Sequence, residues 1–160
     1  MFRAKWSAEI HEEWTSALLE KRPDLKPEQM ARTCELMNAA VLDCLVEGHE
    51  TLIGSLVLPD PDDRHVLAAA IHAGADAIVT FNLRDFPQQI RELYNLEVLH
   101  PDDFIQFQYG LNDAAVIIAA QRCRSRLKRD PKTPAEYLDI LQQQRLPKTV
   151  AVLTPYVSVI

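Results

Sequence analysis

Between Leu58 and Ala70 the chain reads LPDPDDRHVLAAA, which sets Asp60, Asp62 and Asp63 at the mouth of an apolar helical run. Asp85 lies in the turn NLRDF that follows the apolar run DAIVTF, and Glu13 lies in the early segment SAEIHEEW. Asp60 can cap the helix with Pro61 as its first residue, and Asp62 and Asp63 then meet the positive end of the helix dipole, each gaining about 0.3–1 kcal/mol. Asp63, however, precedes Val66 and Leu67 by three and four residues, so it shares their buried stripe. A carboxylate in that position has to be paired or has to hold a cation. Asn82 and Asp85 also serve as ordinary turn residues, and Glu13 as an ordinary helix acid. What joins the three acids is that Glu13, Asp63 and Asp85 each stand beside an apolar face that must meet one sheet. Hard oxygen donors converging in a cleft suit Mg²⁺ or Mn²⁺ rather than zinc. Such an ion activates water for in-line attack on a phosphodiester.

The sequence supplies elements to position these acids. FRAKWS is a strand-like opening, Ser7 is an N-cap, and Ile10, Trp14, Ala17 and Leu18 mark a helix that runs to about Arg22 before Pro23. Glu12 points away from that apolar stripe and Glu13 borders it. A second helix opens at KPEQM, with Met30, Cys34, Met37 and Val41 on one face. HETLIGSLVLP reads as a strand or an irregular approach to the acids. A helix is expected over Asp62–Ala73, closed by Gly74, followed by DAIVTF as a buried parallel strand. QQIRELYN is a short helix, LEVLH a strand and PDDFIQFQYG a helix start, and the chain is helical from Leu111 through NDAAVIIAAQRCRSRLKR and AEYLDILQQQ. Helices alternating with short apolar strands give an α/β class with a parallel sheet. Ligands of such sheets bind beyond the carboxyl ends of the strands, where Asp63 and Asp85 can share an edge.

The 160 residues are enough for one ordinary globular core. No apolar run approaches the roughly 18–20 residues of a membrane span, and no signal peptide is evident. A net charge of −6 argues against bulk attraction to nucleic acid, though not against a local metal-filled phosphate site. Cys34, Cys44 and Cys123 lack zinc-ligand spacing and favour a reducing, cytoplasmic setting. The basic stretch QRCRSRLKRDPK reads as a solvated helix face or as a phosphate- or partner-contacting strip. No Ser-His-Asp arrangement or Walker A loop competes with the acidic site. The five histidines show no ligand spacing, and His65 reads as a solvated helix residue, with a role near the site beside Asp63 as the alternative.

SAEIHEEW, PDPDDRHVLAAAIHAGADAIVTFNLRDFP and the helical tail with TPAEYLDILQQQRLP together resemble the PIN-domain family, in particular the VapC-type toxins of bacterial toxin–antitoxin pairs. The resemblance implies an α/β/α sandwich around a parallel sheet, with a PIN-like domain over 1–110 and a helical C-terminal extension over 111–160. It implies Mg²⁺- or Mn²⁺-dependent endoribonuclease activity, with Glu13, Asp63 and Asp85 catalytic and Asp60 as an accessory metal ligand. Asn82 and Thr80 match the family's polar companions of the last acid, and Arg64 and Arg84 are candidates for contact with substrate phosphate. Implied partners are an RNA substrate, an antitoxin protein, and a second copy or a complementing strand. Similar proteins open with a strand that ends in a metal-binding aspartate, ahead of the segment matching FRAKWS. Its absence here raises the expectation of impaired catalysis, with a catalytically silent interaction or dimerisation module as the alternative.

Overall fold

In the computed structural model, residues 2–160 are described, and they fall into two compact units. One comprises Phe2–Ile78 and Asn82–Val98, and the other Val79–Phe81 and Leu99–Ile160. The class is α/β with a parallel sheet, as expected.

The first unit begins with a short extended segment. Trp6 forms a parallel bridge with Leu45, its N–H donating to the Cys44 carbonyl at 2.9 Å and its carbonyl accepting from Val46 at 2.8 Å. The strand-like opening is therefore a single bridge, and its partner segment at Cys44–Val46 carries no alternation that would reveal it. Ser7 is fully buried and caps helix α1 (Ala8–Lys21), its hydroxyl accepting from the Ile10 N–H at 3.3 Å. Helix α2 (Pro27–Ala40) follows, with Met30, Cys34, Met37 and Val41 only half-buried.

A polar knot joins these pieces. Asn38 Oδ1 accepts from the Trp6 indole at 2.7 Å and lies 3.0 Å from His11 Nε2. The Trp14 indole donates to His11 Nδ1 at 3.0 Å. An indole can only donate, so Nδ1 is the bare nitrogen, and Nε2 carries the proton that is donated to Asn38. His11 is thus neutral in this arrangement, one tautomer being fixed by two tryptophan-linked bonds.

The segment HETLIGSLVLP holds a short helix, α3 (Glu50–Ile53), and then an irregular stretch whose Leu56 and Leu58 enter the core. Asp60 caps a single 3₁₀ turn over Pro61–Asp63, and helix α4 covers Arg64–His72. The helix therefore starts two residues later than expected, because the proline-led turn closes i→i+3 bonds first. Gly74 takes φ +59 and the Ala75 N–H reaches back to the Ala70 carbonyl at 2.9 Å, the glycine closure anticipated for this helix.

Strand β1 (Ala77–Val79) pairs in parallel with β2 (Glu97–Leu99), which follows helix α5 (Gln88–Tyr94). Ile78 is buried, but Val79 and Phe81 are more than 40% exposed, so DAIVTF is not buried along its length. Among the described residues the sheet has these two strands, so each has one open edge. The core of this unit gathers Leu67, Ala68 and Ala70 of α4 with Ile78, Phe86, Leu96 and Val98.

The second unit is mainly helical: α6 (Pro101–Leu111), α7 (Asp113–Ser125), α8 (Pro134–Gln143) and α9 (Pro147–Leu153). Asn112 separates α6 from α7 and caps the latter, and Thr133 with Glu136 forms a capping box for α8. Helix α9 was not anticipated. Its first turn is held by Asp102, a buried aspartate of α6, whose carboxylate accepts from the Lys148 N–H, the Thr149 N–H and the Thr149 hydroxyl, each at 2.8 Å. Burial alone would push the Asp102 pKa up, but these three donors outweigh it and hold the group below its ordinary value.

With its pKa depressed by folding, Asp102 contributes stability that is present above the ordinary carboxylate value of 3.8 and is lost as the pH falls through the lower folded value. Asp102→Asn leaves one donor of the α9 turn short of a strong acceptor. It is expected to cost about 1–3 kcal/mol in urea unfolding near neutral pH. The deficit against wild type should shrink as the solution is acidified below about pH 4; an undiminished deficit would contradict the assignment.

Candidate metal centre

The site lies within the first unit and is assembled from three places in the chain. The turn Pro61–Asp63 presents Asp60 and Asp63. Asp60 is exposed, with its carboxylate accepting from the Asp62 N–H at 2.9 Å, while Asp63 is half-buried at the junction with α4. Leu67 and Ala68 of that helix are fully buried, so the turn ahead of them has little freedom to move.

Asp85 closes a second 3₁₀ turn, Leu83–Asp85, in which its N–H donates to the Asn82 carbonyl at 3.2 Å. The next residue, Phe86, is 1% exposed, and its carbonyl accepts from Arg91 Nε at 3.0 Å. A side chain sunk in the core on one flank of the turn thereby fixes the aim of the carboxylate on the other. Glu13 projects from α1, its oxygen 3.3 Å from His65 Nε2.

Electrostatics brings these groups together more directly than any single contact. The Asp63 pKa is pushed up from 3.8 to about 6. Burial is the leading cause, followed by the negative charges of Asp85, Asp60 and Glu13 and by a side-chain hydrogen bond with Asp85. Of the four acids singled out in the sequence, three thus act on the carboxyl group of the fourth, Asp63. Their side chains offer only oxygen atoms, and His65 is the cationic partner of Glu13 among the described residues when it is protonated.

The companions fare differently. Asn82 is exposed and caps the Leu83–Asp85 turn by its backbone. Thr80 is half-buried at the end of β1, where its N–H donates to the Leu99 carbonyl at 3.0 Å. Arg84 is exposed, whereas Arg64 is half-buried with its Nε lacking a hydrogen-bond partner among the described residues. Neither arginine forms an ion pair among the described residues.

His65 corrects the sequence reading. Its side chain is only 16% exposed and faces Glu13 rather than solvent. The signal was its place next to Asp63 and Arg64 at the start of α4, which sets it on the flank facing α1, a packing that local periodicity does not encode.

Folding raises the Asp63 pKa, so its contribution to stability is complete below 3.8 and is lost as the pH climbs through about 6. Asp63→Asn is uncharged throughout. Without metal it is expected to melt above wild type near pH 7, with the difference closing near about pH 4. Carboxyl ¹³C shifts should show Asp63 titrating near 6, and moving down toward the ordinary range in Asp85→Asn.

Comparison with known proteins was made against this geometry. A family model described as PIN domain matches residues 2–84, and one described as VapC50 C-terminal domain matches residues 101–155. A Mycobacterium tuberculosis protein named "Putative ribonuclease VapC50" is 40% identical over 82 residues, which are 51% of this chain and 48% of that protein. The aligned stretch therefore spans about half the length of that relative. No solved structure matches. No helix among the described residues is long and apolar enough to cross a membrane. With the PIN model covering residues 2–84 and the acids of the early helix, the α4 turn and the post-strand turn gathered around one carboxyl, the chain belongs to the PIN-domain family.

Proposed function

We propose that this chain is a Mg²⁺- or Mn²⁺-dependent endoribonuclease of the VapC toxin type, with Glu13, Asp60, Asp63 and Asp85 as the metal-holding acids. The observation that carries the reading is the raised pKa of Asp63, produced by burial and by the other three carboxylates. Family membership and the ribonuclease name of the relative support the choice of substrate. When bound, the ion polarises a phosphodiester and lowers the pKa of a water molecule.

The chain's own residues do the rest. Asp63 is the central acid, since every other carboxylate of the cluster acts on it. Asp85 is aimed by the buried Phe86, and Glu13 is held by His65. Asn82 and Thr80 serve as polar companions at the strand end. Arg64 and Arg84, free of acid partners among the described residues, offer guanidinium groups to substrate phosphates. Protons compete with the cation for Asp63, so metal affinity rises with pH through about 6.

The same reading covers organisation and partners. Residues 1–110 are the PIN-like part that carries the site. Residues 111–160 are a helical extension, supported by the VapC50 C-terminal match over 101–155. RNA is the substrate, an antitoxin protein and a second copy or complementing strand are partners, and the cytoplasm is the setting.

The decisive experiment incubates a labelled mixed-sequence RNA with this 160-residue chain in Mg²⁺, in Mn²⁺ and in chelator. Cleavage is expected only with metal, and Asp63→Asn should lower it by on the order of 10²-fold or more while keeping the fold by circular dichroism. The exposed Asp62→Asn serves as a matched control and should cut like wild type. Absence of metal-dependent cutting by the folded chain would overturn the reading in favour of a catalytically silent interaction module.

A further inference from the structure

Away from the carboxylate cluster, His49 presents an unresolved accounting problem. It is completely buried, yet neither Nδ1 nor Nε2 has a hydrogen-bond partner among the described residues. Buried polar atoms are seldom left in that state, and each exception calls for an explanation. Two carboxylates face the ring. Glu9 Oε2, from the first turn of α1, lies 3.5 Å from Nε2, and Glu50 Oε1, from the start of α3, lies 3.9 Å from Nδ1. Both distances are too long for hydrogen bonds. Gly48, at φ +84, supplies the left-handed turn that delivers His49 and Glu50 to this place.

One ring nitrogen and one oxygen from each glutamate all lie within 4.8 Å of one another. Donors held at about 2.0–2.2 Å around a tetrahedral ion sit roughly 3.4 Å apart, so the glutamate side chains would swing inward as an ion enters.

We propose that Glu9, His49 and Glu50 form a second metal site, distinct from the all-carboxylate cluster, that takes an ion of the Zn²⁺ class (Zn²⁺, Co²⁺ or Ni²⁺) in preference to Mg²⁺. An imidazole nitrogen with two carboxylate oxygens suits these borderline ions, whereas Mg²⁺ favours oxygen and water. The ion ties the beginning of α1 to the beginning of α3, elements about forty positions apart in the chain. Three protein donors leave room for water. The inference stands independently of the nuclease reading, because it concerns residues that reading does not use.

The test is calorimetric titration of the full chain with Zn²⁺ in the presence of excess Mg²⁺, together with long-range ¹H–¹⁵N spectra of the histidine rings and the visible absorption of the Co²⁺ form. One equivalent of Zn²⁺ is expected in wild type and in Asp63→Asn, with a displaced His49 nitrogen resonance and a rise in melting temperature. His49→Gln should lose the binding. Because that position is buried, Glu50→Gln at the exposed rim provides a variant that keeps its fold. It should weaken Zn²⁺ binding about tenfold or more and change the Co²⁺ spectrum. The proposal is overturned if Glu50→Gln binds like wild type. It is equally overturned if Zn²⁺ binding vanishes in Asp63→Asn but survives in His49→Gln, or if Zn²⁺ leaves the His49 nitrogens unmoved and both protonated, as in a plain ion pair with the glutamates.

Discussion

Holding like charges together is the constraint around which the first unit is arranged. Three carboxylates, Asp85, Asp60 and Glu13, act on Asp63, and that arrangement opposes folding. The scaffold counters it with rigid packing close to each acid. Leu67 and Ala68 lock α4 behind Asp63, Phe86 pins the turn that carries Asp85, and Ser7 fixes the start of the helix that carries Glu13. None of these residues is part of the chemistry. Each limits how far an acid can retreat from its neighbours. The repulsion that remains is a cost the fold carries.

Asp102 shows the opposite solution for the same residue type. It is more deeply buried than Asp63, yet its pKa goes down rather than up. The difference lies in the partners. Asp102 meets two backbone N–H groups and a hydroxyl at the start of α9, whereas Asp63 meets other acids. One aspartate is an internal cap that completes a helix, and the other stands among like charges. Burial alone would not have told them apart.

Much of this was readable from local pattern. Helices α1, α2, α4, α5 and α8 follow from apolar spacing with Ser, Pro and Gly punctuation, and the position of Asp63 on a buried stripe marked it as more than a dipole partner. What escaped reading depends on partners distant in the chain. The bridge of Trp6 to Leu45 needs a segment with no strand pattern, and α9 needs Asp102, some 46 residues away. The exposure of Val79 depends on what lies beside β1, which its β-branched composition does not report. His49 is likewise mute in the sequence. Its glutamate neighbours are brought in by a glycine turn and by the first turn of another helix, and no spacing rule connects them.

The polar knot around His11 has a spectroscopic corollary. The chain has two tryptophans, and both donate their indole N–H into that knot, Trp6 to Asn38 and Trp14 to His11. Intrinsic fluorescence excited at the tryptophan band therefore samples one corner of one unit, the junction of α1 and α2, and no other part of the molecule. Loss of that emission signature marks the opening of the junction. The helices of Leu99–Ile160 contain no tryptophan, so that emission carries no direct signal from them. A chain that looks two-state by tryptophan emission can thus be reporting only half of its own unfolding.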